Sequence, residues 1–272
     1  MEKMNLTNPL ASLLVIVGLI FVVWRIFIGM DVFGQGGGEE LWADLYFLVA
    51  LYGGFAGVII SRSWGGAKSL VGKAILSFSV GLFLQSFGQG VYAYYAIFQG
   101  VEAAYPSYGD IGFFGSIPAY LVGILYLAKI ARVNLSLRST KGLLMAIIIP
   151  VLILAGSYYI FLDGYEFDWT NPLAVILDFA YPLGQAAYLA VAILVLSLSA
   201  GYLGGIMKRP LIYLLFALVI QYLSDFVFLY RFNQESYVVG GLTDIMYLFA
   251  YFFMGFSLIY LGFIFQRIRS NE

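Results

Sequence analysis

Apolar residues occur in runs of about 20 along most of this chain, with short polar links between them. A helix rising 1.5 Å per residue needs about 20 apolar residues to cross roughly 30 Å of hydrocarbon. Eight such segments can be placed, at 9–30, 42–61, 71–98, 111–130, 143–162, 173–199, 211–232 and 242–265. The short alternating segments of a membrane β-barrel are not seen. The pattern therefore predicts an all-α integral membrane protein with eight transmembrane helices.

The second half of the chain repeats the polar pattern of the first. Gln85 and Gln89 match Gln221 and Asp225 at an offset of 136 residues. Two further pairs match at an offset of 134 residues, Asp44 with Asp178 and Asp110 with Asp244. We interpret this as a tandem duplication, with a four-helix membrane repeat at 1–134 and another at 135–272.

Composition and charge support a membrane location and orient the bundle. Hydrophobic residues make up 62% of the chain and charged residues 11%, and the mean hydropathy is +0.92. Basic residues fall on one side of the predicted bundle, at Arg62, Lys68, Lys73, Arg132, Arg138, Lys141, Lys208, Arg209, Arg267 and Arg269. Acidic residues dominate the opposite links. The positive-inside rule then predicts a plasma-membrane protein with both termini cytoplasmic and two parallel repeats, related by an axis along the membrane normal.

The residue inventory excludes several kinds of chemistry. The chain has no cysteine and no histidine, which rules out a disulfide, a thiol nucleophile, a Cys or His metal site and an imidazole base. No link is long enough for a soluble domain. We expect no enzyme activity, no cofactor, no metal and no nucleic-acid partner. The expected partners are the lipid bilayer, a small ligand and a cytoplasmic signalling protein or membrane partner.

Polar residues in the predicted outer halves of the helices are the candidate ligand-binding residues. Side chains four apart share a helix face, as Gln221 and Asp225 do. The candidates are Arg25, Gln85, Gln89, Asp178, Gln185, Gln221 and Asp225. They would converge on an outward-facing polar cavity, with Tyr92, Tyr181 and Tyr222 as aromatic neighbours. Arg25 within the hydrocarbon needs water or a carboxylate, and Asp44, Asp178 and Asp225 are the candidate partners.

Each polar group also has a structural interpretation. Asp110 and Asp244 follow turn sequences, where a carboxylate can cap a helix and meet the positive end of its dipole. Asp44 and Asp178 could do the same. The glutamines could form hydrogen bonds between helices with no ligand involved, and Arg25 could form a purely structural ion pair.

The segment 105–124, YPSYGDIGFFGSIPAYLVGI, resembles the PSxAD and aromatic signature of prokaryotic membrane sensor modules. Those modules span the membrane several times and precede diguanylate cyclase or histidine kinase domains. Pro106, Ser107 and Asp110 carry the motif, although Gly109 replaces the usual alanine. Asp178, Asp225 and Asp244 follow in the expected order. No output domain follows in this sequence, so the resemblance implies signalling to a separate protein.

Three function hypotheses remain. The first is a receptor-like bundle that binds a small ligand or lipid from outside and signals to a cytoplasmic partner. The alternative is a transporter or channel for a small cation or polar solute, but the inner half lacks an obvious polar path. An intramembrane enzyme using Asp110 and Asp244 is disfavoured, because both lie at helix ends.

Overall fold

The structure, a computed structural model, describes most of the chain as helices. It covers residues 9–34, 38–101, 103–130, 169–199, 207–234 and 236–270, with isolated positions at 148, 151–153, 155, 156, 158, 159, 165 and 167. The helices are α1 (Pro9–Gly29), α2 (Glu39–Leu45), α3 (Phe47–Ser63), α4 (Leu70–Tyr94), α5 (Gly109–Ile130), α6 (Pro172–Ser199), α7 (Lys208–Asn233) and α8 (Leu242–Ser270). A short 3₁₀ turn, Gly66–Lys68, precedes α4, and a π-helical turn, Tyr95–Gln99, extends it.

Seven of these helical stretches are long and apolar enough to cross a membrane, counting α2 and α3 as one. They coincide with seven of the eight predicted segments, so the expectation of an all-helical, multi-pass membrane protein is confirmed at that level. The predicted fifth segment, 143–162, lies mostly outside the described residues. The eighth span and the duplication into 1–134 and 135–272 stay predictions.

Local sequence signals set where the helices begin. The Ser69 hydroxyl accepts from the Gly72 N–H at 2.9 Å and caps α4. At α5 the Ser107 hydroxyl accepts from the Gly109 N–H at 3.0 Å, while Asp110 Oδ2 accepts from the Ser107 N–H at 2.7 Å. This reciprocal pair is a capping box, which satisfies N–H groups that the first turn leaves free.

Six of the described helices form a closed ring. Each helix from α3 to α8 packs on the next one in the chain, and α8 packs back on α3. Glycines allow the closest contacts: a methyl group on Gly53 of α3 would lie 3.2 Å from the Cα of Gly255 on α8. Small residues at such crossings let helix backbones approach closely in lipid.

Helix α1 lies outside the ring, against α2, α3 and α8. Side chains of α2 and α3 hold it by its backbone: Trp42 Nε1 of α2 donates to the Phe21 oxygen at 2.8 Å, and the Tyr52 hydroxyl of α3 donates to the Leu10 oxygen at 2.7 Å. Its other face is apolar and exposed, as at Leu19 and Ile20, which suits contact with lipid chains.

We call the end of the ring where α5, α6 and α8 begin the acidic end, because it carries Asp110, Asp178 and Asp244 near the starts of these helices. The opposite end, where α4 and α7 begin and α8 finishes with Arg267 and Arg269, is the basic end. The candidate residues of the sequence lie in the half of the bundle nearer the acidic end or close to mid-depth.

Candidate functional site

Asp225 is the centre of a hydrogen-bonded group inside the ring. Its Oδ2 accepts from Gln185 Nε2 of α6 at 2.5 Å and from Gln221 Nε2, one turn earlier on α7, at 3.1 Å. Its Oδ1 accepts from the Tyr247 hydroxyl of α8 at 2.5 Å. Three helices therefore direct donors at one carboxylate. We call Gln185, Gln221, Asp225 and Tyr247 the Asp225 cluster.

No cation neutralises this carboxylate within the part of the chain that the structure describes, where Asp225 forms no ion pair. Its donors are amides and a phenol, which are neutral. A charged carboxylate removed from water needs a counter-charge or strong hydrogen bonding, since an isolated one is costly in hydrocarbon.

Three polar atoms in or beside the Asp225 cluster have no hydrogen-bond partner among the described residues. They are the Tyr120 hydroxyl, the Tyr188 hydroxyl and Gln221 Oε1. Their residues are 0%, 1% and 1% exposed. The rings of Tyr120 and Tyr188 meet edge to face with centroids 6.0 Å apart, and Tyr188 follows Gln185 by three residues on α6, about one helical turn away. Buried polar groups normally have hydrogen-bond partners, so these three unpaired atoms are unusual. We call them the open atoms.

Gln85 belongs to a neighbouring, fully paired group. Its Nε2 donates to the Ser116 hydroxyl of α5 at 2.7 Å, and its Oε1 accepts from the Tyr251 hydroxyl of α8 at 3.0 Å. The Tyr251 ring stacks on that of Tyr247, with centroids 6.2 Å apart. Gln85 is thus joined to the Asp225 cluster through two stacked tyrosines. Its bonds connect α4 with α5 and α8, in agreement with interhelical hydrogen bonding, and its role as a ligand-binding residue stays a prediction.

Asp178 is held by two tyrosines at the acidic end. Its Oδ1 accepts from the Tyr105 hydroxyl and its Oδ2 from the Tyr165 hydroxyl, each at 2.7 Å. Both tyrosines lie outside the candidate spans, so Asp178 ties two connecting segments to α6. Burial, followed by the hydrogen bond to Asp178, raises the pKa of Tyr105 above its ordinary value. Asp178 does not cap its helix.

Asp110 and Asp244 serve the starts of their helices. Asp110 completes the capping box of α5 and also accepts from the Tyr181 hydroxyl of α6 at 2.8 Å. Asp244 Oδ2 accepts from the Gly240 N–H at 2.7 Å, and its Oδ1 accepts from the Tyr237 hydroxyl at 3.0 Å. Each carboxylate accepts a backbone N–H group from the segment just before its helix, in agreement with a structural role at the helix start. Burial, together with the charge on Asp244, raises the pKa of Tyr237.

The expected ion pair of Arg25 is not formed. Instead, Arg25 Nε donates to the backbone oxygen of Gly240 at 2.8 Å. The expectation of Asp44, Asp178 or Asp225 as its partner was wrong. Helix α1 lies outside the ring that holds Asp178 and Asp225, and Asp44 forms no ion pair among the described residues. Arg25 therefore meets the segment between α7 and α8, and Gly240 links it to Asp244.

Two further polar residues lie apart from the Asp225 cluster. Gln89 Nε2 donates to the Ala43 backbone oxygen at 3.4 Å, which ties α4 to α2. Asp44 is half-buried, and its side chain has no hydrogen bond or ion pair among the described residues. Of the seven candidates, the structure thus brings together Gln185, Gln221 and Asp225, with Gln85 adjacent.

Tyrosines are the residues that sequence reasoning missed. Tyr120, Tyr188, Tyr247 and Tyr251 surround the cluster, yet the chain has 22 tyrosines and helical spacing alone does not single these four out. One usable signal was available: Tyr247 and Tyr251 are four apart, like Gln221 and Asp225, and lie on the neighbouring predicted helix.

The basic-end half of the ring between α5, α6 and α7 is apolar. A cavity of about 30 Å³ there is lined by Ile124, Leu127, Ala192, Val195, Leu211, Leu214, Leu215 and Leu218. A larger groove of about 730 Å³ lies between α1 and α2 on the outside of the bundle. Neither is lined by a candidate residue. The searched residues also contain no group of three or more acidic side chains placed to hold a metal ion.

Comparison with protein-family models, with curated proteins and with solved structures finds no match to this chain. Its function therefore has to be argued from the ring and the groups inside it.

Proposed function

We propose that this protein is a receptor-like membrane bundle that binds a small polar ligand at the Asp225 cluster and signals to a separate cytoplasmic partner. One observation carries the proposal: a carboxylate inside the ring has three neutral donors, no counter-ion among the described residues, and open polar atoms next to it. A binding site in a helical bundle has this composition, with a few convergent polar groups in an apolar wall.

The open atoms favour a ligand over a purely structural network. The Gln85 group shows how a closed network looks here, since both ends of that amide are paired. In the Asp225 cluster the amide of Gln221 is paired, among the described residues, through its nitrogen but not through its oxygen. An unpaired buried polar atom costs about 1–3 kcal/mol, so a bound molecule that supplies partners would stabilise the protein.

The apolar half of the ring favours a receptor over a transporter. A solute leaving the Asp225 cluster toward the basic end would meet Ile124, Leu127 and Leu214, with no charged side chain among the residues lining that layer. Polar solutes cross membranes along polar or water-filled paths, and an apolar constriction dewets and closes.

The helices that hold the site also reach the basic end. On α8, Tyr247 binds Asp225 near one end, while Arg267 and Arg269 lie in the last turn. A ligand that changes the contacts of Tyr247 can bias a shift of α8 as a unit, which is a common switching movement. The charge pattern predicts a cytoplasmic location for that last turn, and the resemblance to sensor modules would agree with a partner there.

Small molecules retained after purification from the native membrane test this function. The wild-type protein, Asp225→Asn and Asp44→Asn would be purified in parallel, and bound compounds would be identified by mass spectrometry. Asp44→Asn is a matched control because it also removes one half-buried carboxylate. We expect a compound that the wild type and Asp44→Asn retain and Asp225→Asn loses.

A transport measurement distinguishes the receptor from the transporter or channel alternative. The retained compound would be offered to proteoliposomes containing the wild-type protein. No uptake above protein-free liposomes is expected. Uptake that Asp225→Asn abolishes would establish a transporter. In the retention experiment, equal retention of the compound by all three proteins would rule out a binding site at Asp225.

A further inference from the structure

The open hydrogen-bonding capacity of the Asp225 cluster consists mostly of acceptors. Asp225 accepts three bonds and, with about four lone-pair sites, has room for one more. Gln221 Oε1 accepts no hydrogen bond from the described part of the chain. The Tyr120 and Tyr188 hydroxyls can each accept as well as donate. A partner that satisfies a carboxylate oxygen and an amide oxygen together must offer donors or positive charge.

The charge inside the ring independently favours a positively charged ligand. The ring carries the Asp225 carboxylate at depth. Two described cations lie toward the acidic end: Arg25 is engaged outside the ring with Gly240, and Arg231, in the last turn of α7, forms no ion pair with Asp225. A positive ligand would balance the carboxylate, as an opposite charge within a few ångströms favours the ionised form. The surrounding phenol rings add to this, because aromatic faces attract cations.

We propose that the Asp225 cluster binds a small monovalent cation through oxygen atoms, with Asp225 as its charge partner and Gln221 Oε1, Tyr120 and Tyr188 as its remaining ligands. The ligand is either an alkali-metal ion or the ammonium end of a small amine, which share this chemistry. Carboxylate, amide and hydroxyl oxygens are the ligands that hard cations prefer. The inference rests on the function proposed above and names the class of its ligand.

A single charge suits the site better than two. Asp225 is the one carboxylate of the cluster, and Asp110, Asp178 and Asp244 are each engaged elsewhere by tyrosine hydroxyls and, for two of them, backbone N–H groups. Divalent ions in proteins are usually held by several carboxylates. One carboxylate with neutral oxygens therefore matches a monocation.

Cation-dependent stability is the first test. The melting temperature of the detergent-purified protein would be measured at pH 8 in sodium, potassium, methylammonium or N-methylglucamine chloride at equal ionic strength. N-methylglucamine controls for salt, since its bulk does not suit a buried oxygen site. We expect at least one of the three small cations to raise the melting temperature with concentration, as linkage requires of a ligand bound only to the folded state. Sodium or potassium acting alone would indicate an alkali-metal ion, and methylammonium acting alone would indicate an amine.

Variants test whether the cation stabilises the protein by binding at the Asp225 cluster. Asp225→Asn should abolish the cation-dependent rise, and Asp44→Asn should keep it. Tyr188→Phe and Gln221→Met, which are milder changes, should each weaken the apparent affinity about tenfold or more, the usual size of a lost hydrogen bond to a charged group. Tyr94→Phe, on an exposed ring, should leave it unchanged. Equilibrium dialysis with radioactive sodium or methylammonium should give one ion per protein.

Three outcomes would overturn or separate the claims. Equal melting temperatures in all four salts would overturn the cation inference, and so would a structure in which only a water molecule bridges Tyr120, Tyr188 and Gln221. The proposed function would survive either result if a neutral compound were retained in an Asp225-dependent way. Asp225-dependent cation uptake by proteoliposomes would support the cation site and refute the receptor.

Discussion

The Tyr251 hydroxyl of α8 donates to Gln85 Oε1 of α4 at 3.0 Å, joining residues 166 positions apart. In the ring α3 lies between these two helices, so the bond crosses part of the interior. Tyr251 also stacks on Tyr247, which binds Asp225. The bond therefore connects the paired polar group at Gln85 with the open one at Asp225.

Tyr251→Phe should destabilise the protein by about 0.6–2 kcal/mol, because it leaves Gln85 Oε1 unpaired and membrane hydrogen bonds contribute this much. Unfolding in mixed detergent would measure it, with Tyr94→Phe as the exposed control. A cycle with Gln85→Met should show coupling of at least about 0.5 kcal/mol. Full additivity would mean that the two side chains do not interact.

Gly112→Ala and Gly115→Ala, on the same helix, should differ in stability. A methyl group on Gly112 would lie 2.4 Å from the Leu84 backbone oxygen and 2.7 Å from the Gly88 nitrogen. On Gly115 it would lie 3.6 Å from Leu84 Cδ1, an ordinary contact. Gly112→Ala should cost about 1–3 kcal/mol through overpacking, and Gly115→Ala should be near neutral. Equal melting temperatures would contradict the close approach of α4 and α5.

Arg25→Met should cost about 1.5–3 kcal/mol, because it removes a charged donor from the Gly240 oxygen. In thermal unfolding Arg62→Met, at an exposed position near the basic end, is the control. A double-mutant cycle tests the geometry: Arg25→Met should couple with Asp244→Asn and add to Asp225→Asn within about 0.5 kcal/mol. Coupling between Arg25→Met and Asp225→Asn would instead support an ion pair between Arg25 and Asp225, which the structure does not show.

Stability should fall as the pH rises above about 10, the ordinary pKa of tyrosine. The raised pKa values of Tyr105 and Tyr237 mean that these phenols stay protonated in the folded protein while those of the unfolded chain ionise. The folded state then binds more protons, and increasing pH favours unfolding. Melting temperature against pH should decline less steeply for the Tyr105→Phe, Tyr237→Phe double variant. Parallel curves would mean that neither phenol is protected.

Topology can be mapped directly because the chain has no cysteine. Single cysteines at Ser236 and Lys68, both in connecting segments, lie at opposite ends of the bundle. In intact cells an impermeant maleimide should label Ser236→Cys, and it should label Lys68→Cys only after permeabilisation. The reverse pattern would invert the predicted orientation and move the acidic end to the cytoplasm.

The sequence by itself determined the helices and some of the polar partners. In hydrocarbon the backbone must satisfy its own hydrogen bonds, so a run of about 20 apolar residues has few alternatives to a helix. Spacing of four places Gln221 beside Asp225 on any helix, and Ser107 with Asp110 closes a capping box locally. These relations involve neighbours along the chain and need no knowledge of packing.

Tertiary structure alone decided which distant side chains meet. Arg25 contacts Gly240 because α1 packs outside the ring, and no local pattern reports the side on which a peripheral helix lies. Gln185, Asp225 and Tyr247 converge because α6, α7 and α8 are consecutive in the ring and turn these faces inward. With apolar side chains on both lipid-facing and packed surfaces, the hydrophobic pattern carries little information about helix rotation. The rotation is fixed by close glycine contacts and interhelical hydrogen bonds, which exist only once the helices have assembled.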